Sequence, residues 1–197
     1  MGKLDCSTLC NLPDAELLGL SHDHATAFDV LYRRHAKRTQ AVVGRIIMNR
    51  EDAADVVQNT FMTLLAHPPE LNGDASFTTY LHRCATNRAI DFLRWKGRQP
   101  HFVGLDYAGG VAALSLTPEQ AHDRRQRLDL ATHAILELNP RKRAAYLFRV
   151  LDGMSLRQIG DLVDADENTV AKRVGSAHEE VLNAMNRCCG SDRSNHQ

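Results

Sequence analysis

The chain has 197 residues, room for one large domain or two small ones, and its 43% hydrophobic and 24% charged content suits packed cores with a solvated surface. Its 24 basic and 24 acidic residues cancel, so any nucleic-acid footprint has to come from local clustering rather than net charge. No apolar run approaches the ~20 residues of a membrane span, and MGKLDCSTLC lacks a basic-then-apolar leader pattern, so direct membrane insertion is not expected and the expected location is cytoplasmic.

Residues 1–23 show no sustained periodicity and read as an N-terminal tail. Over residues 24–49, Phe28, Leu31, Tyr32, His35, Val42, Ile46 and Ile47 recur on one helical stripe. Residues 50–67 repeat the pattern with Ala53, Val57, Phe61, Leu64 and Leu65. Pro68-Pro69 closes that helix, because proline has no amide donor and restricts its predecessor. A polar loop then carries Asn72, Gly73 and Asp74, and Ser76 stands where it can cap a third helix reaching about Gly97, with Phe77, Leu81, Cys84 and Ala85 inward. Residues 99–118, with three glycines and a proline at each end, read as a flexible linker. From 119 to about 185 the pattern is helical again, in four pieces, and 188–197 form a second tail. The expected fold class is all-α: two helical domains, 24–98 and 119–187, on a flexible linker.

Residues 152–174, DGMSLRQIGDLVDADENTVAKRV, spell a helix, a tight turn and a second helix. Leu156, Ile159 and Val163 recur at helical spacing before the turn Asp164-Ala165-Asp166. Val170, Val174, Ala177, Val181 and Met185 make the stripe that follows. Asp166 sits at an N-cap position, where its carboxylate can accept from the amide of Asn168 or Thr169. Thr169, Lys172, Arg173 and Ser176 fall between the apolar positions, near the end that such helices present to the major groove. Upstream, Asn139-Pro140 opens a helix whose start gathers Arg141, Lys142 and Arg143. Cations there oppose the helix dipole, so contact with DNA phosphate is their expected use.

Two further segments carry chemistry. In residues 79–98, Arg83, Arg88, Arg94, Lys96 and Arg98 face only Asp91 and alternate with Tyr80, Phe92 and Trp95. Cations along a phosphate backbone and aromatic faces under unstacked bases are what single-strand binding requires; core packing for Phe92 and a cover over the helix end for Trp95 fit the same spacing. In residues 50–65, Glu51, Asp52 and Asp55 occupy the first turns, where the dipole favours carboxylates. Asp55, Gln58, Asn59 and Met62 lie on or near the face opposite Val57 and Phe61; spacing alone suits a solvated face, and a docking face for a partner helix remains open.

In chain order, AFDVLYRRH, DAADVVQNTFMTLL, SFTTYLHRCATNRAIDFLR, a linker and LNPRKRAAYLFRVLDGMSLRQIGDLVDADENTVAKRV resemble the bacterial group 4, or extracytoplasmic function (ECF), sigma factors of RNA polymerase. The resemblance covers about residues 27–185. It implies that 24–98 is a region 2-like domain and 119–187 a region 4-like helix-turn-helix domain. Asp55, Gln58 and Phe61 match the D-x-x-Q-x-x-F helix that binds the β′ clamp helices of the polymerase. Asn72, Gly73, Asp74, Asn87, Arg88, Asp91 and Arg94 match the positions that recognise and melt the −10 element. Thr169, Lys172 and Arg173 occupy the −35 contact face, with Arg141, Lys142 and Ser176 beside it. The linker resembles the segment that threads toward the RNA exit path. The implied partners are core RNA polymerase, through its β′ clamp helices and β flap, promoter DNA, and an anti-sigma factor that is membrane-bound in the iron-starvation branch, which DGMSLRQIG and NTVAKRVGSAHEE most resemble. No catalytic role and no cofactor are implied.

The chain departs from the family at three places: Ser176-Ala177-His178 replaces a usual R-A-R, Gly160 stands where alanine is usual, and Asp164 replaces the common turn glycine. Two other classes stay open at this point. A stand-alone helix-turn-helix regulator would bind duplex DNA without polymerase. A metal enzyme would draw on His22 with His24 and Cys6 with Cys10; with no second tight Cys/His pair beside either, no metal site is expected. The odd count of five cysteines argues against a disulfide scaffold, and Cys6, Cys10, Cys188 and Cys189 receive no role.

Overall fold

The computed structural model describes residues 6–69, 76–97 and 118–191, and every regular element among them is a helix. Tertiary contacts divide the chain into two units, Met1–Tyr107 and Ala108–Gln197. The expected linker lies almost wholly outside the described residues.

In the first unit, α3 (Ala25–Ile47), α4 (Arg50–Ala66) and α5 (Phe77–Lys96) pack against one another. Leu31, Val43 and Ile46 of α3, Val57, Phe61 and Leu64 of α4, and Leu81, Ala85 and Ala89 of α5 are all buried in this three-helix core. Phe61 anchors it, with the rings of Phe28 and Tyr32 edge-on at 6.2 Å and 4.9 Å, an arrangement that adds ~0.5–1.5 kcal/mol beyond area burial. The turn between α3 and α4 is only two residues. Met48 takes a left-handed conformation (φ 58°), and the Asn49 side chain accepts the Asp52 amide at 2.9 Å to cap α4. Ser76 does occupy the N-cap position of α5, but its hydroxyl makes no capping bond.

The expected N-terminal tail is a different matter. Residues Cys6–Leu9 form α1 and Asp14–Leu20 form α2, and both lie on α3. Leu9, Leu17 and Leu18 are buried there. Arg34 of α3 fastens the segment by donating to the carbonyls of Cys10 (2.7 Å) and Leu12 (2.9 Å) and to the Asp14 carboxylate (2.8 Å). His35 Nε2 lies 2.8 Å from the other Asp14 oxygen. A four-residue and a seven-residue helix are too short to display periodicity, and their order comes from tertiary packing.

The second unit holds α6 (Pro118–Glu137), α7 (Pro140–Val150), α8 (Leu156–Val163) and α9 (Glu167–Ser191). The α6, α7 and α8 helices all lean on α9. Its core includes Ala134, Leu138, Tyr146, Ala177 and Val181, with Ile135, Ala184 and Met185 packed alongside. The α9 backbone continues past 187 to Ser191, carrying the helix into the stretch expected to be a tail.

Arg143 also departs from expectation. Rather than meeting phosphate with Arg141 and Lys142, it is only 6% exposed. Its guanidinium donates from Nε to the Ile135 carbonyl at 3.1 Å and from a terminal nitrogen to the Leu136 carbonyl. Those carbonyls belong to the last turn of α6, where a helix has unsatisfied acceptors and a negative dipole end. Burial lowers the Arg143 pKa to about 10, so the group stays charged at neutral pH. Arg143→Met should therefore lower stability by about 2–3 kcal/mol, the scale of buried acceptors losing charge-assisted donors. A urea melt followed by far-UV circular dichroism checks this, and Arg143→Lys, a single point donor, should recover only part of the loss.

Candidate nucleic-acid interface

The helix-turn-helix is built from local bonds. Ser155 caps α8 in a reciprocal box: its hydroxyl accepts the Gln158 amide at 3.2 Å, and the Gln158 side chain accepts the Ser155 amide at 2.9 Å. Asp164 ends α8 in a left-handed conformation (φ 51°, ψ 62°), an arrangement glycine adopts more easily. The Ala165 amide then returns to the Gly160 carbonyl at 3.1 Å. The turn closes so tightly that a Cβ on Gly160 would collide with the Ala165 carbonyl oxygen. Glycine at 160, where relatives of the resembled type have alanine, thus matches the course of this turn.

Asp166 caps α9 as expected, accepting the Thr169 amide at 2.9 Å on one oxygen and the Thr169 hydroxyl at 2.6 Å on the other. The hydroxyl bond is the main cause holding the Asp166 carboxyl below its ordinary value. Thr169 therefore spends its hydroxyl hydrogen inside the cap, which leaves that oxygen able only to accept from another partner. Lys172 is exposed, while Arg173 and Ser176 are half-buried. Arg141 is exposed at the start of α7. Lys142, next to it, is already engaged: its ammonium lies 2.9 Å from Ser176 Oγ and 2.5 Å from Glu180 Oε1. Sequence reasoning missed Glu180, whose available signal was its i, i+4 spacing from Ser176.

On α5, Asn87, Asp91 and Arg94 follow one another at helical spacing, with Asn87 half-buried and Asp91 exposed. Arg94 donates to Asp91 at 3.2 Å. Arg88 turns toward α4, donating to Thr63 Oγ1 at 2.7 Å, and Thr63 in turn donates to the Asn59 carbonyl at 3.0 Å. Trp95 is 55% exposed, 6.0 Å from the half-buried Phe92 ring. Lys96 rests 5.6 Å above Phe92 and pairs with Asp52 of α4. Arg83 lies 5.7 Å over Tyr80. The basic cluster of the sequence thus divides, with Arg88 and Lys96 bracing α5 on α4 and Arg83 and Arg94 left at the surface. Asn72, Gly73, Asp74 and Arg98 lie outside the described residues.

The outer face of α4 presents Glu51, Asp55, Gln58 and Asn59 around Met62, which is 56% exposed. Phe61 does not belong to this face. It is 1% exposed, so its contribution to any partner is to seat α4 with Asp55 and Gln58 outward. Among the described residues no group of three or more His, Cys, Asp and Glu could hold a metal ion, and no helix is long and apolar enough to cross a membrane.

Comparison with known proteins matches residues 31–99 to the Sigma-70 region 2 family model and residues 128–177 to the Sigma-70, region 4 model. Together these span more than half of the chain and fall one in each unit. The chain is 29% identical over 166 residues to the ECF RNA polymerase sigma-E factor of Escherichia coli (strain K12), covering 81% of this chain and 86% of that one. It is 31% identical over 157 residues to the ECF RNA polymerase sigma factor SigE of Mycolicibacterium smegmatis, covering 79% of this chain and 60% of the relative. Its fold resembles that of CnrH, solved in complex with the cytosolic domain of CnrY, with a TM-score of 0.54 at 20% identity over 88% of this chain and 97% of CnrH. The chain belongs to the sigma-70 family: it is an ECF sigma factor, a non-enzymatic initiation factor that binds core RNA polymerase and promoter DNA.

Proposed function

We propose the following division of labour for this sigma factor. The α4 face around Asp55 and Gln58 docks on the β′ clamp helices, and Phe61 supports it from the core. The α5 face of Asn87, Asp91 and Arg94, with Arg88 behind it, takes the opened −10 element together with the loop residues Asn72, Gly73 and Asp74. The α9 helix, through Thr169, Lys172, Arg173 and Ser176, lies in the −35 duplex, with Arg141 and Lys142 at the backbone and the β flap as the lobe's polymerase contact. The helices α1–α5 make up one working domain and α6–α9 the other, and the stretch between them is the tether that lets each reach its own element. The chain is of the group 4, iron-starvation type and works in the cytoplasm. CnrH is bound by a cytosolic domain of CnrY, and a comparable cytosolic segment of a membrane-bound anti-sigma factor is the proposed inhibitor here.

The observation that carries the −10 assignment is the surface of α5. An exposed indole beside a half-buried phenyl ring, with Asn87 and Arg94 on the same helix, offers stacking area and hydrogen bonds to a base outside the duplex. Asn87→Ala should impair promoter opening more than promoter binding. On a promoter recovered by run-off transcription with core polymerase, permanganate reactivity of the −10 thymines should fall ~5-fold or more, the scale of one lost base-edge contact. Closed-complex affinity should stay within about twofold of the parent, since duplex phosphate contacts are untouched. Equal loss of both signals would overturn the assignment.

A further inference from the structure

Lys142 on α7 and Ser176 on α9 converge on a single oxygen. Glu180 Oε1 lies 2.5 Å from the Lys142 ammonium and 3.0 Å from Ser176 Oγ, while ammonium and hydroxyl are 2.9 Å apart. An anionic oxygen held at once by a cation and a hydroxyl is the environment that a nucleic-acid phosphate also accepts. We propose that Lys142 and Ser176 form a seat for one backbone phosphate of duplex DNA, and that the Glu180 carboxylate fills this seat until DNA displaces it. This deepens the −35 reading of the C-terminal lobe and rests on it.

Three observations support the exchange. The carboxylate is a poor permanent occupant, because both side chains of the ion pair are a third to a half exposed, and solvent-screened pairs of this kind contribute little. Lys142 is the chief reason the Glu180 carboxyl sits below its ordinary value, so the carboxylate is fully ionised at neutral pH and competes as an anion. The seat also continues the proposed contact face: Lys172 is exposed one turn before Ser176 on α9, and exposed Arg141 adjoins Lys142. A phosphate arriving here has the advantage of the counterions its duplex releases, whereas Glu180 has only to swing into water. The consequence is that the free chain holds DNA weakly, and that part of its latent affinity is masked by its own side chain.

Phosphate contacts are independent of sequence, so the full-length chain can be titrated with a fluorescent random-sequence duplex across a salt series. Glu180→Gln should tighten binding about 3–10-fold at low salt with the log–log salt slope nearly unchanged, because the same phosphate is neutralised in both complexes and only the competing carboxylate is gone. Glu179→Gln, which removes the same charge from the adjacent exposed residue, should do much less. Lys142→Ala should flatten the slope by roughly 0.9, the loss of one phosphate contact, and abolish the gain from Glu180→Gln when the two are combined. Thermal melts of every variant should match the parent's to within a few degrees. If Glu180→Gln binds no tighter than Glu179→Gln, or Lys142→Ala leaves the slope unmoved, while Lys172→Ala still weakens binding, the seat is refuted and the duplex face stands. If Lys172→Ala and Arg141→Ala are also without effect, the duplex reading of this lobe falls together with the seat.

Discussion

Gly160→Ala should cripple the C-terminal lobe while leaving the N-terminal one intact. The added methyl would fall inside contact distance of the Ala165 carbonyl oxygen. That atom is backbone, in a turn already bounded by the Asp164 cap and the Ala165 amide bond to Gly160, so no side-chain rotation relieves the clash. Overpacking at a closed site costs about 1–3 kcal/mol and occasionally more, and the better helix propensity of alanine returns only ~1 kcal/mol. A lobe of this size holds roughly 4–10 kcal/mol in all. We expect a net loss near the upper part of that range of strain, about 2 kcal/mol, or ~8–16 °C in the melting of the lobe. Far-UV circular dichroism against temperature reads the loss, and duplex binding should fall in parallel. Asp164→Gly should stabilise the parent by roughly 0.5–1 kcal/mol by relieving the left-handed aspartate. In the Gly160→Ala background it should recover more than that, because a glycine turn can follow a wider path. An unchanged melting curve for Gly160→Ala would show that the turn yields without cost.

The second large effect should appear at the polymerase. Asp55→Lys combined with Gln58→Ala changes two exposed side chains in the middle of α4 and touches none of its buried ones. Only a few interface positions carry about 2 kcal/mol or more when truncated, and those cluster near the centre, while a reversed charge against a complementary surface costs several kcal/mol by itself. A combined loss of ~4 kcal/mol weakens association about a thousandfold. The variant should therefore fail to co-elute with core polymerase in size-exclusion chromatography at micromolar concentration, with an unaltered melting curve. Glu51→Lys, one turn earlier on the same face, should reduce co-elution only partly. Phe61→Ala would lose co-elution too, but with a lowered melting temperature, because it empties the core. Undiminished holoenzyme from the Asp55→Lys, Gln58→Ala chain would refute this docking face.

How much of this was legible in the sequence depended on the length of each element and on where its bonds were made. Long amphipathic helices declared themselves: the stripes of Val57, Phe61 and Leu64 on α4, and of Val170, Ala177 and Val181 on α9, are buried as their spacing implied. The Asp166 cap was legible for the same reason, since its partner lies three residues away. Bonds between distant segments were not. Nothing local in residues 6–20 announces that Arg34 will gather the carbonyls of Cys10 and Leu12, and nothing in Arg141-Lys142-Arg143 distinguishes the exposed cation from the one paired with Glu180 or the one buried under α6. Three neighbouring charges on a helix point in three directions, and only the surrounding lobe decides which meets water. The same logic applies to Phe61, which a motif presents as a contact and the core claims as its own.

The way Arg34 clasps the first helices against α3 bears on how fragments of this protein ought to be cut. A shortened version starting near residue 24, the natural choice if the preceding stretch were dispensable, would strip Leu9, Leu17 and Leu18 from their apolar bed and leave one guanidinium and one imidazole without the aspartate they share. Such a fragment would be sticky and prone to precipitation for reasons unrelated to transcription. A boundary drawn ahead of Cys6 keeps the hydrophobic seam shut.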